Sequence, residues 1–173
     1  MRRTAETLRL TPHETVTMRE SSPELLEVEG IWGPGGKAPP VHYHPAQDEH
    51  FEVLEGTLTA RVEGEERELD KGETLDIPRG SRHQIWNKGA EPTRALWQTR
   101  PALRTEQWFR TIDRTIRDGR VDGKGMPGPL AFGVYLTEFR DVFRLGNAPD
   151  LFTRPVLATL ALIGRARGYK VES

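Results

Sequence analysis

Apolar and polar residues alternate through much of the first hundred positions with the two-residue period of strands that bury one face. The clearest case is LLEVEGIW, which sets Leu26, Val28, Gly30 and Trp32 on one side and Leu25, Glu27, Glu29 and Ile31 on the other. The run EHFEVLE opposes Glu49, Phe51 and Val53 to His50, Glu52 and Leu54 in the same way. TAETLRL and ETVTMRE alternate more weakly, and SSP after them reads as a turn. TLTARVEG and EERELDKG form a hairpin across Glu63-Gly64, and TLDIPRG, HQIWN and TRALWQTRP complete a series of short strands punctuated by turns. Such a series predicts an all-β sandwich or barrel.

Near Leu103 the period becomes helical. TEQWFRTIDRTIRDG places Trp108, Phe109, Ile112 and Ile116 along one stripe, with Arg and Asp outside. LAFGVYLTEFRDVFRLG predicts a second helix with Pro129 at its start and Gly146 after its end, carrying Leu136, Phe139 and Phe143 on a stripe with Val142 beside it. A third helix is expected to begin near Asp150 or, because proline disrupts a helix interior and Pro155 follows, near Arg154; it ends on Gly168. These apolar faces need cover. The outer face of the strands, another subunit, a membrane surface and the mouth of a pocket are the candidate destinations, and packing against protein is the expectation. PVLATLALIG has about half the length that a bilayer span needs.

The candidate chemistry lies in two stretches. His42 and His44 are two apart, so an extended strand points both imidazoles to one side. Glu49 follows a Pro45 break, where a hairpin would return its carboxylate toward them, and His83 comes after a Pro78/Gly80 turn. Three neutral imidazoles and a carboxylate suit zinc, iron, nickel, manganese or cobalt better than a hard ion that takes only oxygen. His50 falls on the opposite pleat and reads as surface, and His13 matches no pattern. The glycine-rich WGPGGKAPP is a loop; it has neither the Lys-Ser/Thr ending of a phosphate loop nor a helix to open.

These residues resemble the cupin superfamily. Gly36, His42, His44, Glu49 and Gly56 fill G-x5-H-x-H-x4-E-x6-G, and Gly72, Pro78, Gly80, His83 and Asn87 fill G-x5-P-x-G-x2-H-x3-N. The resemblance implies a mainly β fold, an antiparallel jelly-roll barrel, placed over residues 1–102; the helical extension over residues 103–173 rests on the periodicity alone. It also implies one divalent transition metal, iron, manganese, nickel or zinc, held by His42, His44, Glu49 and His83. Cupins include dioxygenases, isomerases, epimerases, decarboxylases and binding modules, so the fold leaves the reaction open. The expectation is a dioxygenase-type oxidoreductase acting on a small organic molecule, with Glu49 as base, as its counterpart acts in some flavonol-cleaving cupins. The alternatives are a metal-dependent isomerase or epimerase and a non-catalytic binding module. Specificity would be set around Trp32, Thr74, Ile85 and Trp97, with Phe51, Ile77 and Ile85 as an apolar wall. Cupins commonly pair, so a homodimer is expected.

Composition narrows the remaining classes. The 173 residues are 35% apolar and 29% charged, ordinary for one globular domain with an appendage. A formal net charge of -1 gives no electrostatic case for nucleic acid or an anionic membrane. There is no cysteine, which excludes disulfides and thiolate ligands. The amino terminus has two arginines with no apolar stretch after them, so no secretory signal is expected and cytoplasm is the default.

Overall fold

The structure, a computed structural model, describes residues 6–123, 125–146 and 150–172. The strands run β1 (Thr7–Thr11), β2 (Glu14–Ser21), β3 (Leu26–Trp32), β4 (His42–Tyr43), β5 (Asp48–Glu55), β6 (Thr57–Val62), β7 (Glu65–Asp70), β8 (Thr74–Ile77), β9 (His83–Trp86) and β10 (Thr93–Arg100). After them come α1 (Thr105–Arg117), α2 (Pro129–Glu138), β11 (Arg144–Leu145) and α3 (Asp150–Ala166). Two antiparallel sheets result, one in the order β1-β2-β3-β10-β5-β8 and one in the order β11-β4-β9-β6-β7. This is the jelly-roll sandwich, with three helices following its ten main strands.

The alternation read from the sequence sets which side chains meet. Leu26, Val28 and Trp32 on β3 and Glu49, Phe51 and Val53 on β5 are all buried. Trp32, Phe51, Val53, Leu58, Leu69 and Ile85 fill the space between the sheets. At the other end of β3, Leu26 and Val28 pack with Leu8, Val16 and Phe109, so α1 continues the cover of the larger sheet. The β6–β7 hairpin turns at Glu63 and Gly64, both at positive φ (49° and 90°), which is the geometry of a two-residue hairpin loop.

The helical segment differs from the expectation in two places and decides between the two candidate starts in a third. The second helix ends at Glu138, and the chain then folds back so that Arg144 and Leu145 add a short strand beside Tyr43 and His42. Phe139 and Val142 are still fully buried, but in a turn that packs between α1 and α3. The third helix takes the earlier of its two candidate starts, Asp150, and accommodates Pro155 inside it. On α1, Asp113 is buried, because its carboxylate accepts the Arg9 backbone N–H at 2.8 Å and pairs with Arg117. No helix among the described residues is long and apolar enough to cross a membrane.

One glycine has a packing reason. The Trp32 ring folds back along its own strand over Gly30, where a Cβ would lie 2.4 Å from Cη2 and 2.6 Å from Cζ3. A methyl group there forces the indole off its seat, and overpacking of this kind costs about 1–3 kcal/mol. Gly30→Ala should therefore lower the unfolding free energy by about 1–3 kcal/mol, seen as a lower urea midpoint, and alter the near-UV circular dichroism of the aromatic cluster. An unchanged midpoint would show that Trp32 has room to spare.

Candidate metal centre

Strand pairing builds the site. β4 and β9 are neighbours, and their register sets His42 opposite His83. His44 lies two residues beyond His42, and its carbonyl accepts the Gly80 N–H at 2.8 Å, which docks the Pro78–Ser81 turn and aims the strand carrying His83. Glu49 comes from β5 in the facing sheet, where it pairs with Thr99 and Ile77. Four side chains expected from the sequence to share a site are thus brought together from both layers. His42, His44 and His83 each offer a ring nitrogen within 4.8 Å of the others, a group that could hold a metal ion. His50 points outward and pairs with Asp76 at 2.7 Å.

The hydrogen bonds determine what the imidazoles present. Nδ1 of His42 meets the Pro40 carbonyl at 2.9 Å, Nδ1 of His83 meets the Ser81 carbonyl at 2.9 Å, and Nδ1 of His44 meets the Val142 carbonyl. A carbonyl only accepts, so each Nδ1 carries the proton and each neutral ring turns a bare Nε2 inward. His44 Nε2 lies 3.4 Å from Glu49 Oε1, and His83 Nε2 lies 3.0 Å from Glu49 Oε2. Lone pairs therefore face lone pairs. His44 Nε2 and Glu49 Oε2 are both buried with no hydrogen-bond partner. Separations of about 3.0–3.5 Å are those between donor atoms that share one ion at 2.0–2.2 Å. The donor set and its unmet atoms fit a divalent transition metal.

The protonation tendencies follow that arrangement at His42 and His44 and depart from it at His83, where a proton shared with Glu49 takes the place of a cation. Burial holds the His42 ring well below its ordinary value, with His83 and His44 adding to the effect. Burial also lowers His44. For Glu49, burial works to raise the carboxyl, but the surrounding imidazoles outweigh it and bring it down to about 2. His83 is desolvated too, yet its proximity to Glu49 leaves its proton more tightly held than usual. The site attracts positive charge, and Glu49 is the anion that attracts it.

Aromatic rings enclose this centre. The Trp97 indole N–H donates to Glu49 Oε1 at 2.9 Å while its ring stacks on Phe51 at 5.3 Å. Phe143 stacks on His42 at 4.5 Å, and Trp108 stacks on Phe143 at 5.0 Å. Together with Trp32, Ile85, Phe109 and Phe132 they line a cavity of about 140 Å³ that opens onto the histidines. Phe51 and Ile85, expected as wall, and Trp32 and Trp97, expected near the specificity positions, all line this cavity. Two expected residues do not: Ile77 is buried in the sandwich core, and Thr74 is exposed on β8. The sequence reading missed the Val142 carbonyl, the stack of Phe143 and Trp108, and Glu14, which lines the same cavity. Strand parity carries a signal for the last, since Glu14 shares a face with buried Val16.

The family model for the cupin domain matches residues 29–99. Residues 29–99 are therefore a cupin domain. This cupin is 38% identical over 97 residues to the tetracenomycin polyketide synthase protein TcmJ of Streptomyces glaucescens, a match covering 56% of the chain and 58% of the relative. It is 45% identical over 53 residues to the oxidoreductase iacF of Pestalotiopsis fici, covering 30% of the chain and 26% of that protein. The matches thus span little more than half of the first relative and about a quarter of the second. An RmlC-like cupin from Shewanella frigidimarina superposes with a TM-score of 0.53 at 20% identity, covering 59% of this chain and 88% of that one, a likeness of fold.

Glu14 gives the site a pH signature. Burial pushes its carboxyl up to about 7 from an ordinary 4.5, and the Trp32 indole N–H opposes the rise without cancelling it. Because the folded protein binds this proton more tightly than the unfolded chain, Glu14 is harmless to stability below about 4.5 and costs stability as pH rises through about 7. Glu14→Gln should therefore be more stable than the parent at pH 8.5 by about 1–2 kcal/mol, less than the full worth of the shift because Glu14 keeps some exposure. At pH 4.5 that advantage should vanish. Urea unfolding at both pH values tests this, and a difference independent of pH would refute it.

Proposed function

We propose that this cupin holds one divalent transition metal through His42, His44, His83 and Glu49 and oxidises a small, largely apolar, oxygen-bearing organic molecule with dioxygen. The observation that carries the reading is the burial of three inward Nε2 lone pairs and an ionised carboxylate, with no protein donor for His44 Nε2 or Glu49 Oε2, at the edge of an aromatic cavity. Such a donor set, bound to metal, supplies Lewis-acid polarisation of a chelating oxygen and a redox route to dioxygen. The names of the two relatives, a polyketide synthase protein and an oxidoreductase, agree with oxidation of an aromatic or polyketone-like molecule.

The chain's own residues supply the rest. Trp97 fixes Oε1 of Glu49 and leaves Oε2 without a hydrogen bond, so Glu49 is placed to accept a proton from a ligand hydroxyl arriving at the centre. The carbonyls of Pro40, Ser81 and Val142 hold the imidazoles in the tautomer that binds through Nε2. Phe51, Trp97 and Phe143 provide flat apolar walls that keep water from the reacting face and accept an aromatic ring against them.

Purified protein should carry close to one equivalent of a transition metal. His42→Ala and His83→Ala should each lower that content at least tenfold, the scale on which metal ligands and their supports act, while His50→Ala leaves it unchanged. Elemental analysis reads this directly. Catechols, enediols and diketones offered with iron(II), manganese(II) or nickel(II) in an oxygen electrode cell should give uptake that requires metal, substrate and Glu49 together. Product without oxygen uptake would assign the site to isomerisation instead, and protein that binds no metal would end the proposal.

A further inference from the structure

Glu49 is not the only carboxyl on the cavity. Glu14 lines it as well, at the start of β2, and the β2–β3 register sets it opposite Trp32, whose ring also faces the cavity. On the larger sheet Glu14 stands on β2 and Glu49 on β5, with β3 and β10 between them. Three strand steps correspond to about 14 Å across the sheet, and Glu14 is level with Trp32 and Thr93 while Glu49 is level with Thr99, six residues further along, which adds about 20 Å in the strand direction. The intervening wall is aromatic, with Trp32 and Trp97 centred 6.5 Å apart.

The surroundings of Glu14 repeat those of Glu49 in one respect. Trp97 donates its indole N–H to Glu49 at 2.9 Å. Trp32 is only 3% exposed, and its indole N–H makes no full hydrogen bond; its pull on Glu14 lowers that carboxyl a little without satisfying either group. A buried donor without a partner is expensive to keep, by about 1–3 kcal/mol. So is a carboxyl crowded by protein, and burial, only partly opposed by the indole, lifts this one to about 7. Neither cost is explained by packing, because the cavity beside them is open to a ligand. The role of Glu14 in the centre described above is nil: it belongs to another part of the larger sheet and contacts none of the histidines through any hydrogen bond or ion pair described in the structure.

We propose that Glu14, steadied by the Trp32 indole, reads the end of the ligand remote from the histidines, its carboxyl taking a hydroxyl of an elongated and otherwise apolar molecule. This makes the cavity two-ended: an oxygen function meets the His42, His44 and His83 end, fused or conjugated apolar rings lie against the tryptophans, and a second hydroxyl meets Glu14. The inference rests on reading the cavity as a ligand site, as above, and does not require that a metal be bound.

The test uses 2,6-dihydroxyanthraquinone, whose hydroxyls lie at opposite ends of three fused rings, and 2-hydroxyanthraquinone, which has one. Binding is followed by quenching of tryptophan fluorescence, on protein as purified and again after treatment with EDTA. The parent should bind the diol about tenfold tighter than the mono-ol or better, the difference made by one hydrogen bond to a carboxyl. Glu14→Leu should bring the two affinities within twofold of each other, and Glu14→Gln, which keeps the shape and a weaker partner, should fall between. The same collapse is expected with EDTA, so a failure of metal binding and a failure of this proposal are separate results. An unchanged preference in both variants overturns it, as does a parent that shows no preference or binds neither compound.

Discussion

Three imidazoles give their Nδ1 protons to main-chain carbonyls, and this leaves three lone pairs and one carboxylate pointed at each other inside protein. Much of the architecture follows from satisfying that arrangement. The carbonyls of Pro40 and Ser81 lie two residues before the histidines they hold, whereas Val142 is 98 residues from His44, so the His44 tautomer is fixed only when the barrel and the helical segment are both in place. The carboxylate comes from the opposite sheet. Folding therefore assembles a cluster whose electrostatics are unfavourable until a cation joins it. A bound ion would return the cost as stability of the whole fold, because an unfolded chain cannot gather the same donors.

The last third of the chain is part of this device. Val142 anchors His44, Phe143 covers His42, and Leu145 pairs with His42 across a two-residue strand. α1 adds Trp108 and Phe109 to the wall. The segment after Arg100 is thus a wall of the cavity as well as a set of helices packed on one another through Val134, Phe139 and Ala161. A cation at the centre and a rigid seat for Phe143 support each other, since both depend on the turn between α2 and β11.

How much of this could be seen beforehand depends on the length scale of each feature. The ligand spacing was legible because a strand has a fixed period of two, so His42 and His44 share a side and His50 opposes Glu49 without knowledge of the fold. The hairpin at Glu63-Gly64 and the inward face of β3 were legible for the same local reason. The end of α2 was not. Phe139, Val142 and Phe143 continue a helical apolar pattern, and what stops the helix is the pull of a sheet edge far away in sequence, through a strand of two residues that no periodicity can announce. Asp113 was misplaced because its partner, the Arg9 backbone N–H, lies across 104 positions. Glu14 had the right parity to face inward, but a glutamate in a weakly alternating strand looks like ordinary surface until the tertiary structure closes a cavity over it.

Glu49 and Glu14 then show how one residue type takes two states within one cavity. Both are desolvated, and desolvation alone favours the neutral acid. Glu49 is surrounded by imidazoles and falls to about 2, so it is an anion at any pH near neutrality. Glu14 has one indole N–H to offset its burial and rises to about 7, so near neutrality it is divided between acid and carboxylate. The difference comes from the sheets: β4 and β9 bring cations or would-be cations to β5, while β2 meets only β1 and β3. On the proposal made above, a fixed anion at one end of the cavity and a proton-sharing acid at the other would orient an asymmetric ligand, with the oxygen that releases a proton at the histidine end and the oxygen that gives or accepts one at Glu14.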